Sequence, residues 1–326
     1  MKATATANAN IALVKYWGNR DRSLVLPFNN SISMTCDGLA VRTTVDFSHR
    51  KSHEVTINGS LVSDDRIINH MDFIKKLAGI EDYAHVASVS NFPPSAGLAS
   101  SAAGLAALTL AAAKAAGLSI TGKQASIIAR HGSGSASRSI FEGFVEWEKG
   151  RKKDGSDSFS RTIAPCRHWP KFRMIACIVT ENKKHVSSRE GMAQTVATSP
   201  YYRGWLDSVE EDLRNVRKGI RTKNFGLVGS TAESNALKMH AAMMTTRPAL
   251  IYWWPATLDI IHAILELRSG GTEAYFTMDA GPQVKVLCMS KDVGEVQDKI
   301  NEIKSALKTV VCKPGKGAEL VHEHLF

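Results

Sequence analysis

The 326-residue chain has no apolar run long enough to span a bilayer, and it contains only five cysteines. Cys36, Cys166, Cys177, Cys288 and Cys312 are far apart and odd in number. None shows metal-ligand or redox-motif spacing, which excludes a disulfide scaffold and predicts reduced, mostly buried thiols. The first residues, Met1-Lys2-Ala3-Thr4-Ala5-Thr6, lack the apolar core of a signal peptide. Together these features predict a soluble, cytoplasmic protein with no membrane partner.

Aromatic residues make up only 7% and do not alternate with basic ones, as a single-strand-binding surface requires. No segment has the Gly-Lys-Ser/Thr ending of a P-loop. The eleven histidines are dispersed; His53, His70, His185 and His240 read as surface or core residues, and no zinc cluster or Ser–His–Asp set can be assigned. A nucleic-acid partner is not expected.

What is present is an ordinary globular composition, 44% hydrophobic and 22% charged, with a net charge of +10. Such an excess suits anionic small molecules. The densest basic run, Lys149-Gly150-Arg151-Lys152-Lys153, reads as a solvated loop. Strand patterns at Ile11–Val14, Ala40–Phe47, 55–62 (with an Asn58-Gly59 turn), Val86–Val89 and Met174–Thr180 mix with helical ones near 64–78 and 101–116. Thr121-Gly122-Lys123-Gln124 is a capping box that opens a further helix. Residues 148–162 read as a surface loop. Helices are expected near 201–221, 225–243, 255–269 and 291–307, and strands at 274–278, 283–289 and 309–312. Strict βαβ alternation is missing, so the fold class is α+β. The division falls near 185, giving residues 1–185 and a helix-richer 186–326.

Five segments bear chemistry. In Pro94-Ser95-Ala96-Gly97-Leu98-Ala99-Ser100-Ser101-Ala102-Ala103, small residues and two hydroxyls precede an alanine-rich helix. A helix N-terminus offers free N–H groups and partial positive charge to a phosphate; packing plus a helix cap is the plainer reading. Ser133–Ser139 combines serines and glycine with the planar fork of Arg138, suited to carboxylate or phosphate. Val186-Ser187-Ser188-Arg189 repeats the hydroxyl–arginine theme or is an N-cap. Thr277-Met278-Asp279-Ala280-Gly281-Pro282 is either a turn or a carboxylate held at a strand end. Asn10 to Arg20 carries Lys15, Tyr16 and Arg20, which bind an anion or are simply exposed.

Taken in order, Asn10-Ile11-Ala12-Leu13-Val14-Lys15-Tyr16-Trp17-Gly18, Asn91-Phe92-Pro93, Ala96–Ala102, Gly132–Phe144, Val186–Arg189 and Phe276–Pro282 resemble the mevalonate diphosphate decarboxylase family, within the galactokinase, homoserine kinase and mevalonate kinase superfamily. The resemblance covers nearly the whole chain. It implies a ribosomal-protein-S5-domain-2-like N-terminal domain, a helix-rich α+β C-terminal domain and a site between them. It further implies ATP, Mg²⁺, a phosphorylated mevalonate and a homodimer.

By that resemblance Asp279 sits by the 3-hydroxyl, and Arg138 with Asn10 holds the substrate carboxylate. Gly97, Leu98, Ala99, Ser100 and Ser101 cradle ATP, with Ser101 the contact to Mg²⁺. Lys15, Tyr16, Asn19, Ser133, Ser135, Ser188 and Arg189 face the substrate. One position departs from the family pattern. Diphosphate enzymes follow Lys-Tyr-Trp-Gly with a lysine that reaches the pyrophosphate, whereas this chain has Asn19. On that ground the expected reaction is ATP-dependent decarboxylation of mevalonate 5-phosphate to isopentenyl phosphate. The alternatives are the 5-diphosphate giving isopentenyl diphosphate, and 3-hydroxyl phosphorylation without loss of CO₂.

Overall fold

The structure, a computed structural model, describes residues 1–48, 51–92, 100–180, 182, 185–303 and 305–326. In chain order, β1 (Lys2–Val14), β2 (Asn19–Asp21), β3 (Leu26–Pro27), β4 (Ser31–Ser48), β5 (Glu54–Ile57) and β6 (Ser60–Leu61) lead into helix α1 (Asp65–Ala78). β7 (Tyr83–Ser90), α2 (Ser100–Ala115), α3 (Gly122–Gly132), α4 (Ala136–Ser139), β8 (Phe144–Trp147), β9 (Ser160–Ala164) and β10 (Phe172–Ile178) follow. Next come α5 (Ser188–Thr198), α6 (Tyr202–Thr222), α7 (Phe225–Met244), α8 (Pro255–Ser269), β11 (Tyr275–Met278), β12 (Val284–Met289), α9 (Val293–Asn301), β13 (Lys308–Pro314) and β14 (Glu319–Val321). This is the α+β architecture expected from the sequence.

Strand β4 is the hub. Its end from Val41 to Ser48 pairs with β7, its start from Ser31 to Met34 pairs with β8, and β1 runs antiparallel along both stretches. Between them, Cys36 and Asp37 pair with Pro314 and Lys313 of β13. The detour is a bulge: Asn8 pairs Ala40, but Asn10 pairs Thr35. Gly38 sits inside it at φ +115°, a conformation L side chains rarely adopt, with the Val311 carbonyl close above it. Through β13 the sheet continues into β10, β12 and β11.

Three apolar clusters fill the layers. One packs α1, α2 and α3 on β1, β4 and β7. Helix α2 is buried almost all round because alanines dominate it, so the sheet and neighbouring helices approach closely. A second cluster sits under α8 and α9. The third joins Ile11, Leu13 and Trp17 to Trp205, Val216 and Val228, tying the first half of the chain to α6 and α7. Four cysteines are buried and all five are free. Among the described residues no helix is long and apolar enough to cross a membrane.

Local chemistry sets several boundaries as read. Thr121 caps α3 with Gln124 answering, Asp64 caps α1, and Gly79 ends α1 at φ 65°. Three expectations needed correction. The opening strand starts at Lys2 because both β4 and β14 pair with it. Residues 148–162 are not wholly a loop: Ser160 begins β9, and the buried group in this part of the strand is a hydroxyl rather than an apolar side chain, which hid the strand. The Ser160 Oγ donates to Ser137 Oγ at 2.9 Å, and its N–H donates to Ser126 Oγ. The helix expected over 291–307 stops at Asn301, since by Leu307 the chain already donates to the Ile178 carbonyl and pairs with β10.

Helix α7 lies against β11 with Gly229 as the point of approach, where an added Cβ would fall inside the Tyr275 ring. Gly229→Ala is therefore expected to destabilise the fold by about 1–3 kcal/mol, the usual range for overpacking. Urea unfolding checks this; an unchanged midpoint at constant slope would contradict the packing described.

Candidate active site

Asn10 of β1, opposite the start of the β4 bulge, reaches α4. Its Nδ2 donates to Ser139 Oγ at 2.8 Å and to the Ser135 carbonyl at 2.9 Å. Its Oδ1 accepts from Arg138 Nε at 3.0 Å. Arg138 Nε also donates to Ser33 Oγ at 3.1 Å, and Nη1 to Ser31 Oγ at 2.6 Å. Strand alternation explains the pair: Ser31 and Ser33 lie on one face of β4 while Ile32 and Met34 face the core. Among the described residues the Nη2 corner of the fork has no hydrogen-bond partner, so it remains for a ligand. Burial lowers the guanidinium to about 10, opposed by the Asp279 carboxylate, and it stays charged at neutral pH.

Asp279 follows the last residue of β11. Its Oδ1 accepts from Lys15 Nζ at 2.8 Å, and its Oδ2 lies 3.3 Å from Lys285 Nζ. The lysine side chains are 2% and 1% exposed, whereas that of Asp279 is 31% exposed. The carboxylate is thus the accessible member of a buried charge triad. Burial works to raise its pKa, but the two ammoniums outweigh this and hold it well below the usual carboxylate range. Burial lowers Lys15 to about 8, against the attraction of Asp279. Lys285 and Arg138 push it in the same direction as burial.

Other groups fix this triad. The Lys15 N–H donates to Asn235 Oδ1 at 2.8 Å, and Asn235 Nδ2 donates to Asp212 Oδ2 at 2.7 Å. Lys238 completes the link at 2.6 Å from the same oxygen. His240 Nε2 meets the Asp279 carbonyl at 3.1 Å; as a donor there it must carry its proton on Nε2. Burial lowers this imidazole to about 3, with Lys15 adding to the effect, so it is neutral.

Tyr16 donates to Asn19 Oδ1 and stands edge-on to Trp147, ring centroids 4.8 Å apart. Burial raises its phenol above the ordinary range, while Arg138 and Arg189 act the other way. Arg189 therefore shares this neighbourhood, on the first turn of α5 within the Ser187–Glu190 capping box. Glycine at position 18 permits the approach: at φ +106°, its missing Cβ would collide with the Tyr202 hydroxyl and meet Val196 of α5. Ser133 and Ser135 lie 3.2 Å apart through their hydroxyls, one turn from Arg138. A cavity of about 190 Å³ beside Ser133 is lined by Arg66, His70, Phe73, His131, Gly132 and Arg189 among others. Arg20 turns elsewhere, its Nη2 donating to the Lys149 and Lys152 carbonyls.

Asn10, Lys15, Arg138 and Asp279 thus come together, with Tyr16, Asn19, Ser133, Ser135 and Arg189 around them. Ser100 and Ser101 begin α2, and Ser188 begins α5, all half-buried. Gly97, Leu98 and Ala99 lie outside the described residues. Sequence reasoning missed Lys285, Ser31, Ser33, Asn235 and His240. Lys285 did leave a signal, a lone cation within the otherwise apolar Val284–Met289.

An accessible carboxylate between two buried ammoniums, beside an arginine with one corner free among the described residues, defines a site for an anionic small molecule. Residues 7–160 match the family described as diphosphomevalonate decarboxylase-like N-terminal domain, and residues 174–319 the mevalonate 5-diphosphate decarboxylase C-terminal domain. The chain belongs to the diphosphomevalonate decarboxylase family. It is 36% identical over 328 residues to the diphosphomevalonate decarboxylase of Ganoderma lucidum, covering 92% of this chain and 81% of that protein. The Homo sapiens enzyme of that name is 36% identical over 314 residues, covering 90% and 78%. The solved mevalonate diphosphate decarboxylase of Enterococcus faecalis superposes with a TM-score of 0.92 at 38% identity, covering 99% of each chain. That of Staphylococcus aureus gives 0.93 at 36%, covering 98% of each.

The triad makes a direct titration prediction. Below about pH 8 Lys15 is an ammonium and above it an amine. In ¹⁵N-lysine NMR its Nζ signal is expected to titrate with a midpoint about 8; a midpoint near the unperturbed ~10.4 contradicts the burial argument. Asp279→Asn removes the attraction that opposes desolvation, so the midpoint is expected to fall further.

Proposed function

We propose that this chain uses ATP to decarboxylate mevalonate 5-diphosphate, yielding isopentenyl diphosphate. The observation that carries the proposal is the half-exposed Asp279 carboxylate clamped by Lys15 and Lys285 beside Arg138, in a chain of this family. The 5-phosphate, expected from Asn19, is the less supported substrate. The Ganoderma lucidum and Homo sapiens relatives are named for the diphosphate, and a solved neighbour with a TM-score of 0.93 is described as MDDEF in complex with MVAPP, AMPPCP and magnesium. The neutral Asn19 is already engaged by Tyr16, and Arg20 is held by loop carbonyls, so Arg189 is the cation offered to a second phosphate.

Asp279 accepts a hydrogen bond from the tertiary 3-hydroxyl on its open side and directs the oxygen at the γ-phosphoryl group. Held below the usual carboxylate range, it is a weak base and a strong electrostatic guide. In a loose phosphoryl transfer the hydroxyl oxygen bonds to the γ-phosphorus as the bond to ADP breaks, and its proton leaves only late, through Asp279 to solvent, so orientation matters more than basicity. Phosphorylation makes the tertiary oxygen a leaving group. The C–O bond then breaks with its electron pair going to phosphate, and positive charge develops at carbon 3. The bond to the carboxylate releases its pair to form the alkene, and CO₂ departs. Arg138 Nη2 holds that carboxylate beforehand, with Asn10 fixing the guanidinium through its Nε.

Among the described residues no three His, Cys, Asp or Glu side chains cluster as a metal cage. The donors at the start of α2 are the Ser100 and Ser101 hydroxyls and helix N–H groups. This set fits a magnesium ion bound mainly by phosphate oxygens and water, with ATP supplying the phosphoryl group. Gly97, Leu98 and Ala99 belong to the same proposed cradle. Ser133, Ser135 and Ser188 would assist Arg189 at the phosphate end. The proposal extends to a cytoplasmic homodimer, divided into residues 1–185 and 186–326.

With mevalonate 5-diphosphate, ADP and CO₂ are expected in equal amounts; ADP without CO₂ overturns the decarboxylase reading. Asp279→Asn is expected to lower kcat on the order of 1,000-fold with KM little changed, as for a group acting in the transition state. Asn19→Lys is expected to move kcat/KM toward the diphosphate over the monophosphate by about tenfold, ~1.4 kcal/mol. Equal ratios in the two proteins would remove position 19 from substrate choice.

A further inference from the structure

We infer that Lys285 is a positioning residue: from β12 it anchors the second oxygen of Asp279 and so sets the direction in which that carboxylate meets the substrate hydroxyl. The inference rests on the function proposed above.

Asp279 is not on a strand. It opens the turn 279–283 between β11 and β12, where the Gly281 N–H donates back to its carbonyl at 2.7 Å. A carboxylate on such a turn has rotational freedom unless side chains remove it. Three groups from different elements do so. His240 of α7 donates to the backbone carbonyl, Lys15 at the end of β1 holds Oδ1, and Lys285 of β12 holds Oδ2. Lys285 pairs across the ladder with Thr277, two residues before Asp279, and its Nζ also donates to the Gln283 carbonyl at 3.3 Å. It therefore braces both ends of the turn. With each oxygen bound to a cation on the protein side, the remaining lone pairs point to the open side.

An apolar side chain would fill the Lys285 position in a strand otherwise made of valine, leucine, cysteine and methionine at lower desolvation cost. The charge is retained where it contacts the one carboxylate of the site. The charged groups facing Asp279 are Lys15, Lys285 and Arg138, with His240 neutral beside them. Removing Lys285 also takes a like charge away from Lys15, which then holds its proton more tightly. A role confined to hairpin stability would lower kcat only in step with the melting temperature.

The experiment compares wild type, Lys285→Met and Lys285→Arg as full-length chains with ATP, Mg²⁺ and mevalonate 5-diphosphate, reading kcat, KM, the pH profile and the melting temperature. Lys285→Met is expected to lose kcat on the order of 100-fold with KM within about threefold, the pattern of a transition-state effect. Its alkaline limb should move to higher pH, and Lys285→Arg should recover most of the loss. Should the methionine variant fail to fold, Lys285→Gln takes its place. Unchanged kcat with an unmoved alkaline limb overturns the inference. So does equal loss in the methionine and arginine variants that tracks the melting temperature. Absence of CO₂ from wild type would instead overturn the functional reading itself.

Discussion

A carboxylate held between two buried ammoniums is the constraint around which this molecule is arranged. Neither lysine is tolerable alone in a packed interior, and Asp279 without them would lose its ionised form more readily. The three side chains come from just past the end of β1, the turn after β11 and the start of β12. Their meeting therefore requires the first strand of the chain and a hairpin more than 260 residues later to be held in fixed relation.

Two features supply that relation. One is covalent continuity through β4, which leaves β1 for a few residues to take up β13 and so draws the later strands into the same sheet. The other is the polar link from Asp212 through Asn235 to the Lys15 backbone, reinforced by the apolar cluster shared with α6 and α7. The bulge that permits the first lies next to the pairing of Asn10, which bonds Arg138. The backbone irregularity and the site are thus parts of one device.

The site's net positive character follows from the same arrangement. Two lysines and Arg138 oppose a single carboxylate, an excess suited to a substrate bearing a carboxylate and phosphates. Preorganisation of this kind makes Asp279 a poor base, and in the proposed function a fixed electrostatic guide. For a loose phosphoryl transfer, a fixed charge in the right direction is worth more than proton affinity.

Much of this was legible from residue order. The hydroxyls flanking Arg138, and Asp279 beside Gly281 and Pro282, were legible because local conformation and donor type depend on neighbours in the chain, while the small residues before the alanine-rich helix enter only the proposed nucleotide cradle. The family and α+β class followed from those motifs read together. Lys285, Ser31, Ser33 and Asn235 were not legible, because their roles depend on pairing between strands and helices distant in sequence. Asn19 alone points to the monophosphate, whereas the relatives' names favour the diphosphate; the cations near an anion depend on what surrounds it, with Arg189 near Tyr16 and Arg20 turned away. The sequence by itself determined which chemical groups the protein owns and which local turns and caps present them. Only the tertiary structure decided which charges face one another, because desolvation and Coulomb attraction act through space, over a few ångströms, between residues the chain keeps far apart.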